Sequence, residues 1–242
     1  GGGTQTVCIS PDEVLIEPDT TTNYEIGVRS VLFESLVLNG SIYFIEWEDV
    51  QVDSTTEVGT FPITINGGEA ESMGLELSAQ WAATDYLTFT GSYAYNEAEL
   101  TEDAAGIVDG EDAFDGDRLP GSPEHQYYLA ANYFWPLEGG STLEFDWSMT
   151  GQSNVYTKVG NHAFGEKLES YTLHNASVSW LQDNLVVSLY ADNVFDEFAE
   201  TGVRRDTSFI GPIGVFDSSR RYYKDVLRPR QVGVRFVYNF EN

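Results

Sequence analysis

Acidic side chains are concentrated in residues 97–118, where they could bind a hard cation. The nonapeptide DGEDAFDGD at 109–117 brings carboxylates together at short intervals. Because Ca²⁺ takes roughly 6–8 oxygen ligands, Asp109, Glu111 and Asp115 are candidate calcium ligands. The stretch lacks the bidentate Glu at the spacing of a calcium loop, so an acidic, solvated loop is the preferred interpretation.

Basic side chains are concentrated near the C-terminus, where they could bind an anion. Seven of the chain's 12 Lys and Arg residues are Arg204, Arg205, Arg220, Arg221, Lys224, Arg228 and Arg230, with Tyr222 and Tyr223 among them. Guanidinium groups pair with carboxylate or phosphate through two parallel hydrogen bonds and stack on aromatic rings. Candidate ligand-binding residues are therefore Arg204, Arg205, Arg220, Arg221, Tyr222 and Tyr223, with Tyr156 and His162 of the 153–169 segment added. Salt bridges to the acidic loops are the alternative.

No residue pattern in the chain indicates catalysis. His125, His162 and His174 are far apart in sequence, and no Cys/His spacing suggests zinc. Neither a G-x-S-x-G sequence nor a phosphate-binding loop is present. We therefore expect no enzymatic activity and no cofactor. The net charge of −27 also argues against a nucleic-acid partner, because such a chain repels phosphates.

The elements that carry these residues are predicted from a recurrent alternation of apolar and polar residues. Such alternation indicates β-strands with two different faces. In 231–240, for example, Val232, Val234 and Phe236 alternate with polar residues that include Arg235. Nine strands are predicted, at 23–33, 35–50, 70–82, 85–97, 124–135, 141–152, 170–181, 184–193 and 229–240.

The lengths of these strands and of their connections indicate a membrane barrel. A tilted membrane-spanning strand needs about 9–11 residues, whereas soluble strands average about 5–6. Short links near 33–35, 82–85, 136–140 and 181–184 alternate strictly with long links at 51–69, 98–123, 153–169 and 194–228. Short turns at one end and long loops at the other are typical of outer-membrane β-barrels.

The two faces of the strands support the same interpretation. Glu76, Glu144 and Asp146 would each cost a few kcal/mol against lipid, so their face should line a wide, water-filled or plugged lumen. Aromatic residues near the short turns fit a girdle at the membrane boundary: Phe33, Trp81, Tyr86, Phe134, Trp135, Trp180, Tyr238 and Phe240. Strand 35–50 is the least regular, because Glu46 and Glu48 fall on the face that is apolar earlier in the strand. We expect it to run beyond the bilayer or to carry a bulge.

The count of nine strands has a topological consequence. The first and last strands run in the same direction, and a closed, fully antiparallel barrel needs an even number. We therefore expect the chain to be the C-terminal part of a larger barrel, with residues 1–20 the remnant of an outer loop.

Four stretches resemble the TonB-dependent receptors of the Gram-negative outer membrane. They are EPDTTTNYEIGVRS (17–30), INGGEAESMGLELSAQW (65–81), GDRLPGSPEHQYYLAANY (116–133) and LVVSLYADNVFDEFA (185–199). Their order and spacing carry the resemblance, which covers roughly residues 17–240. The last strand resembles the family's C-terminal end, which usually stops on Phe, whereas here Glu241 and Asn242 follow Phe240.

This resemblance implies an antiparallel transmembrane β-barrel of 22 strands, of which the chain supplies about nine, together with a plug domain that lies outside residues 1–242. It implies energy-coupled uptake of a ferric siderophore or similar scarce nutrient. The implied partners are a small-molecule or metal-chelate ligand, outer-membrane lipid and lipopolysaccharide, the TonB complex through the missing N-terminal part, and the barrel-assembly machinery through the C-terminal strand.

Two other interpretations stay open at this point. The chain could belong to a non-transport outer-membrane barrel with an adhesive or structural role, which requires an even strand count and a packed lumen. It could instead be a soluble β-sandwich binding module, which has no lipid-facing belt. In an outer-membrane barrel, the basic cluster could also contact lipopolysaccharide phosphates instead of a ligand.

Overall fold

A computed structural model describes residues 16–55, 62–108, 111–162, 165–210 and 217–240. Within these ranges the chain is all-β, with a single 3-10 turn at Val159–Asn161. Nine long strands form one antiparallel sheet, called the wall here: β1 (Thr20–Leu32), β2 (Leu36–Glu48), β5 (Ala70–Ala82), β6 (Leu87–Leu100), β9 (His125–Pro136), β10 (Thr142–Gln152), β13 (Tyr171–Gln182), β14 (Leu185–Asp192) and β17 (Gln231–Tyr238).

Eight further strands form hairpins in the long links. They pair as β3 (Gln51–Thr55) with β4 (Pro62–Asn66), β7 (Ala104–Val108) with β8 (Glu111–Ala113), β11 (Val155–Tyr156) with β12 (Lys167–Leu168), and β15 (Glu200–Ile210) with β16 (Asp217–Val226). The sequence predicted these segments only as long loops. Within the described ranges the structure contains no helix with the length and hydropathy needed to cross a membrane.

Each of the nine predicted strands overlaps one strand of the wall. The wall strands pair in chain order, with β1 and β17 at the two edges. These edge strands run in the same direction, and the wall is open over the described residues. The predicted open, antiparallel arrangement is therefore confirmed.

Of the two outcomes expected for the second strand, the bulge is not found in its described residues. β2 pairs with β1 from Leu36 to Glu48 and with β5 from Leu36 to Trp47 without a shift in register. Glu46 lies opposite Glu71 at the long-loop end of β2. The charged residues therefore continue a regular strand beyond its apolar part.

The two faces of the wall differ in chemistry, as the alternation predicted. On the apolar face, Val232 is 67% and Phe236 is 71% exposed, which is unfavourable in water and favourable in lipid. On the polar face, the Asn132 amide donates to Glu144 Oε1 at 2.8 Å, and Ser177 donates to Asp146 Oδ2 at 3.0 Å. The β-sandwich interpretation is wrong, because the described strands place their apolar residues outward rather than against a second sheet.

Aromatic residues lie at the short-turn end, as predicted. Seven of the predicted eight are exposed: Phe33, Trp81, Tyr86, Phe134, Trp135, Tyr238 and Phe240. Trp180 is half-buried. This placement agrees with a girdle at the membrane boundary.

Well-buried apolar side chains are found at the other end of the wall, among the long loops. This loop core consists of Val50, Ala70, Leu100, Ala104, Ile107, Val108, Ala113 and Val159, with Trp47, Val52, Ile65 and Leu119 packed against it. Leu100 and Ala113 are fully buried. The core joins the ends of β5 and β6 to three of the long links, so these links form one packed unit.

Candidate functional site

A cavity of about 630 Å³ lies at the long-loop end of the wall, on the polar face of β1, β2, β5 and β6. Ile45 and Trp47 of β2 line the cavity from the sheet, and Ile107 of β7 lines it from the long links, which are called the cover here. The volume falls within the roughly 300–1,000 Å³ that is typical of small-molecule sites. The sequence of β2 explains part of the lining, because Ile45 and Trp47 are apolar residues on the polar-face parity near this end.

A hydrogen-bond network forms the polar part of the cavity lining, centred on Asn96 of β6. Its Oδ1 accepts from Tyr43 Oη at 2.8 Å and from Ser72 Oγ at 2.7 Å, and its Nδ2 donates to Ser122. Tyr43 reaches Asn96 across Gly74, where a Cβ would collide with the Tyr43 ring. Asn96 is therefore fixed in orientation, and its neighbours present oxygen atoms to the cavity.

Arg118 organises the loop beside the cavity. Its guanidinium lies 3.5 Å from Glu124 Oε1, donates to the Ser122 carbonyl at 3.2 Å, and stacks 5.1 Å from the Tyr156 ring centroid. The Gly160 amide donates to the Arg118 carbonyl at 3.0 Å. Arg118 thus joins the 98–123 link to the 153–169 link.

Two of the predicted ligand-binding residues belong to these loop contacts. Tyr156 is half-buried beneath Arg118, and its carbonyl accepts from the Gly121 amide at 2.8 Å. His162 contacts Asp117 through Nε2 and Oδ2 at 2.6 Å. Both residues therefore hold loops together, and neither is among the residues that line the cavity. Whether they also contact a ligand stays a prediction.

The predicted basic cluster lies on the β15–β16 hairpin. The backbone pairs Arg204 with Tyr223, Arg205 with Tyr222 and Asp206 with Arg221. The side chains of Arg204, Arg205, Arg220, Arg221 and Tyr222 lie outside the part of the chain that the structure describes. Tyr223 is exposed. Its proposed contact with an anion stays a prediction, as do those of the arginines.

Lys224 on β16 forms salt bridges with two carboxylates of the protein. Its Nζ lies 2.8 Å from Glu200 Oε2 and 3.5 Å from Glu166 Oε2. The hydrogen bond to Glu200 raises the pKa of Lys224, while partial desolvation opposes this effect. This lysine therefore illustrates the salt-bridge alternative for the basic cluster.

The acidic loop uses several carboxylates to satisfy its own backbone. Asp112 Oδ1 accepts from the Gly106 amide at 3.0 Å, and Asp117 Oδ2 accepts from the Phe114 amide at 2.8 Å. Among the described residues, no group of three or more metal-binding side chains is found. Asp109 lies outside those residues, so calcium binding by Asp109, Glu111 and Asp115 stays a prediction.

The sequence interpretation missed most of the cavity. It treated Trp47, Val50, Ile107 and Leu119 as loop or strand-end residues, although apolar residues in otherwise polar links were a usable signal. It named Asn96 only as one polar residue of a strand. Arg118 lies within one of the quoted motifs, GDRLPGSPEHQYYLAANY, but no role was predicted for it.

A long antiparallel wall with an exposed apolar face, a polar face and loops at one end defines a piece of a transmembrane β-barrel. A family model described as TonB dependent receptor-like, beta-barrel matches residues 8–194. The chain belongs to this family. Its location is the bacterial outer membrane.

Named relatives and solved structures agree with this assignment. The chain is 28% identical over 196 residues to the ferrichrome outer membrane transporter/phage receptor of Escherichia coli K12, covering 78% of this chain and 24% of that protein. It is 26% identical over 140 residues to the probable TonB-dependent siderophore receptor PiuA of Acinetobacter baumannii, covering 55% and 18%. The chain thus spans about a quarter or less of these relatives.

Similarity to solved structures concerns the fold. The ferric yersiniabactin uptake receptor FyuA from Yersinia pestis superposes with a TM-score of 0.69 at 20% identity, covering 92% of this chain and 30% of that one. The siderophore receptor PiuA from A. baumannii superposes with a TM-score of 0.66 at 21% identity, covering 95% and 30%. The predicted barrel architecture is confirmed by these matches.

Proposed function

We propose that the chain is the C-terminal part of the barrel of an outer-membrane receptor for energy-coupled uptake of a ferric siderophore or a similar scarce metal chelate. The observation that carries this proposal is the 630 Å³ cavity at the long-loop end, on the polar face of the wall. A ligand bound there lies inside the barrel and next to its outer loops. The named relatives are receptors and transporters, which supports transport rather than catalysis.

Other parts of the mechanism depend on segments beyond this chain. We propose that an N-terminal plug blocks the lumen and couples to the TonB complex. Passage follows when the plug is rearranged after ligand binding. Outer-membrane lipid and lipopolysaccharide surround the apolar face, and the barrel-assembly machinery recognises the C-terminal strand that ends near Phe240.

Uptake by the complete protein tests the proposal. A deletion strain is complemented with the full-length gene and grown under iron limitation with ferric complexes of hydroxamate, catecholate and mixed chelators. We expect at least one complex to restore growth and ⁵⁵Fe accumulation, with both lost when TonB is absent. Accumulation of none of the complexes, or accumulation that does not require TonB, overturns the proposal and favours an adhesive or structural barrel.

A further inference from the structure

The described lining of the cavity is mostly apolar. Ile45 and Trp47 belong to β2 of the wall, whereas Val52, Ile107 and Leu119 belong to the long links. Asn96, Ser72 and Ser122 form one hydrogen-bonded network in the lining, and the other polar lining residues are Thr21, Gln51, Thr157 and Lys158. Apolar surfaces with a few placed polar groups suit a ligand that buries a ring or an alkyl group and forms few hydrogen bonds.

Charge in the cavity does not favour an ionised ligand group. Lys158 is the one charged residue among the described lining residues, and it has interactions of its own within the protein. Burying an anion there would remove it from water without a dedicated partner, which is unfavourable. The chain as a whole carries a net charge of −27, which adds long-range repulsion of anions.

The cover of the cavity is built into the packed loop unit. The Val50 amide donates to the Gly68 carbonyl at 2.9 Å, and the Gly67 amide donates to the Val50 carbonyl at 2.6 Å, so the base of the β3–β4 hairpin is closed. Ile107 and Val108 of β7 are buried in the loop core and also line the cavity. A preformed apolar cavity binds a matching group with little ordering cost.

We propose that this cavity binds an uncharged aromatic or aliphatic group carried by the transported chelate, so that neutral complexes with such a group are the preferred ligands. This inference rests on the proposed uptake function and narrows its ligand class. The apolar group packs between Ile45 on the wall and Ile107 on the cover. The oxygen atoms around Asn96 contact polar atoms next to that group.

Three ferric trihydroxamate complexes with the same neutral iron centre test the inference. One carries a phenyl substituent, one a hydroxymethyl group at that position, and one a phenyl sulfonate. Their dissociation constants are measured on the complete protein in detergent by quenching of tryptophan fluorescence. We expect the phenyl complex to bind about tenfold more tightly than either of the others, as partial burial of a ring predicts.

Ile45→Ser is the test variant, and Val37→Ser is its matched control. Both residues lie on β2 and share the polar-face parity, but Val37 is at the short-turn end, away from the cavity. Ile45→Ser should remove the tenfold preference for the phenyl complex and leave the hydroxymethyl complex within about twofold, since only the apolar contact is lost. Val37→Ser should preserve the preference.

A second variant acts by volume rather than polarity. Ala98 of β6 lines the cavity, so Ala98→Phe should fill it and also abolish the preference without burying a polar group. Heat-modifiable migration on gels verifies that each variant forms a barrel. Equal binding of all three complexes to the wild type, or equal losses for all three in both cavity variants, overturns the inference while uptake stands. Failure of every complex to bind the wild type, together with loss of ferric uptake, overturns both proposals.

Discussion

His162 Nε2 lies 2.6 Å from Asp117 Oδ2, and this contact joins two loops that are 45 residues apart in sequence. The same carboxylate oxygen accepts a hydrogen bond from the Phe114 amide at 2.8 Å, and the Phe114 ring packs edge-on to His162 with centroids 5.7 Å apart. Asp117 therefore shapes its own turn and ties that turn to the neighbouring loop.

Asp117→Ala should loosen both loops. The substitution removes the acceptor of the partly buried His162 contact and of the Phe114 amide. The loop unit should lose about 1–2 kcal/mol of stability. Hydrogen exchange of the complete protein in detergent should become roughly tenfold faster in β7–β8 and around Val159–Asn161, with the wall unchanged. Asp115→Ala, which removes an exposed carboxylate of the same loop, is the control. Equal acceleration in the two variants would show that loop charge matters more than this contact.

Glu99 should make the loop unit more stable at lower pH. Burial raises the pKa of the Glu99 carboxyl, and the neighbouring carboxylates of Glu97, Glu71 and Asp115 raise it further. The folded state therefore binds this proton more tightly than the unfolded state, whose reference pKa is 4.5. The resulting penalty is present above the folded pKa and disappears as the pH falls towards 4.5.

Glu99→Gln should consequently slow hydrogen exchange of the loop unit at pH 7.5, and this advantage should shrink as the pH approaches 4.5. Exchange rates at each pH are corrected for intrinsic chemistry. Glu138→Gln, in an exposed turn at the opposite end, should leave the loop unit unchanged at both values. A Glu99→Gln effect that is the same at both pH values would contradict the assignment to this carboxyl.

Two adjacent residues of β9 should differ in how much stability the barrel loses when a charged side chain replaces them. Leu129 is exposed on the apolar face, whereas Ala130 belongs to the polar face. Leu129→Arg places a charge against lipid and should cost about 2–4 kcal/mol near the membrane midplane, with less assembled protein in the outer membrane. Ala130→Arg should cost much less. Quantitative blotting of heat-modifiable barrels measures the difference, and equal losses would argue against the assignment of faces.

In the segment that follows β14, substitution of Asn193 should cost the most stability. Its amide donates to the carbonyls of Glu197 at 2.8 Å and Arg228 at 3.0 Å, and its Oδ1 accepts from the Glu197 amide at 2.8 Å. It is 4% exposed and has a φ of 51°. Asn193→Ala therefore leaves buried groups unpaired in a conformation that Ala disfavours, at a cost of roughly 3 kcal/mol.

Limited proteolysis and hydrogen exchange around 194–199 and 227–230 measure the Asn193→Ala effect. Asp183→Ala is the control for backbone strain, because Asp183 has a similar φ of 48° in a short turn. We expect the control to lose only about 1 kcal/mol. Similar losses in the two variants would mean that the side-chain hydrogen bonds of Asn193 contribute little.

The wall was predictable from sequence because each strand meets two different media. Phe236 faces outward and Arg235 faces the polar side, so apolar and polar residues alternate along the sequence with a period of two. The strict succession of short and long links gave the correct relative direction of the first and last strands. Their ends differ by a few residues from the prediction, because the terminal hydrogen bonds of a strand depend on its neighbours.

The loop unit was not predictable in the same way. Leu100, Ile107 and Ala113 pack together although no fixed spacing relates them, and Asp117 meets His162 only after the chain has crossed the wall. Short hairpins such as β7–β8 have too few residues for a periodic pattern. Asp112 and Asp117 belong to the acidic 97–118 segment, and in the structure their carboxylates accept hydrogen bonds from backbone amides, which the sequence did not predict.

The uninterrupted pairing of β9 with β6 and β10 limits how the gene can change. Losing a single codon in the middle of β9 would turn every later side chain of that strand over, exposing Asn132 to hydrocarbon and moving Tyr133 inward. Long links end on fixed strands but have no such parity to keep, so they can gain or lose residues without reversing a face. Insertions and deletions should therefore accumulate in the loops, while the strands diverge by substitution alone.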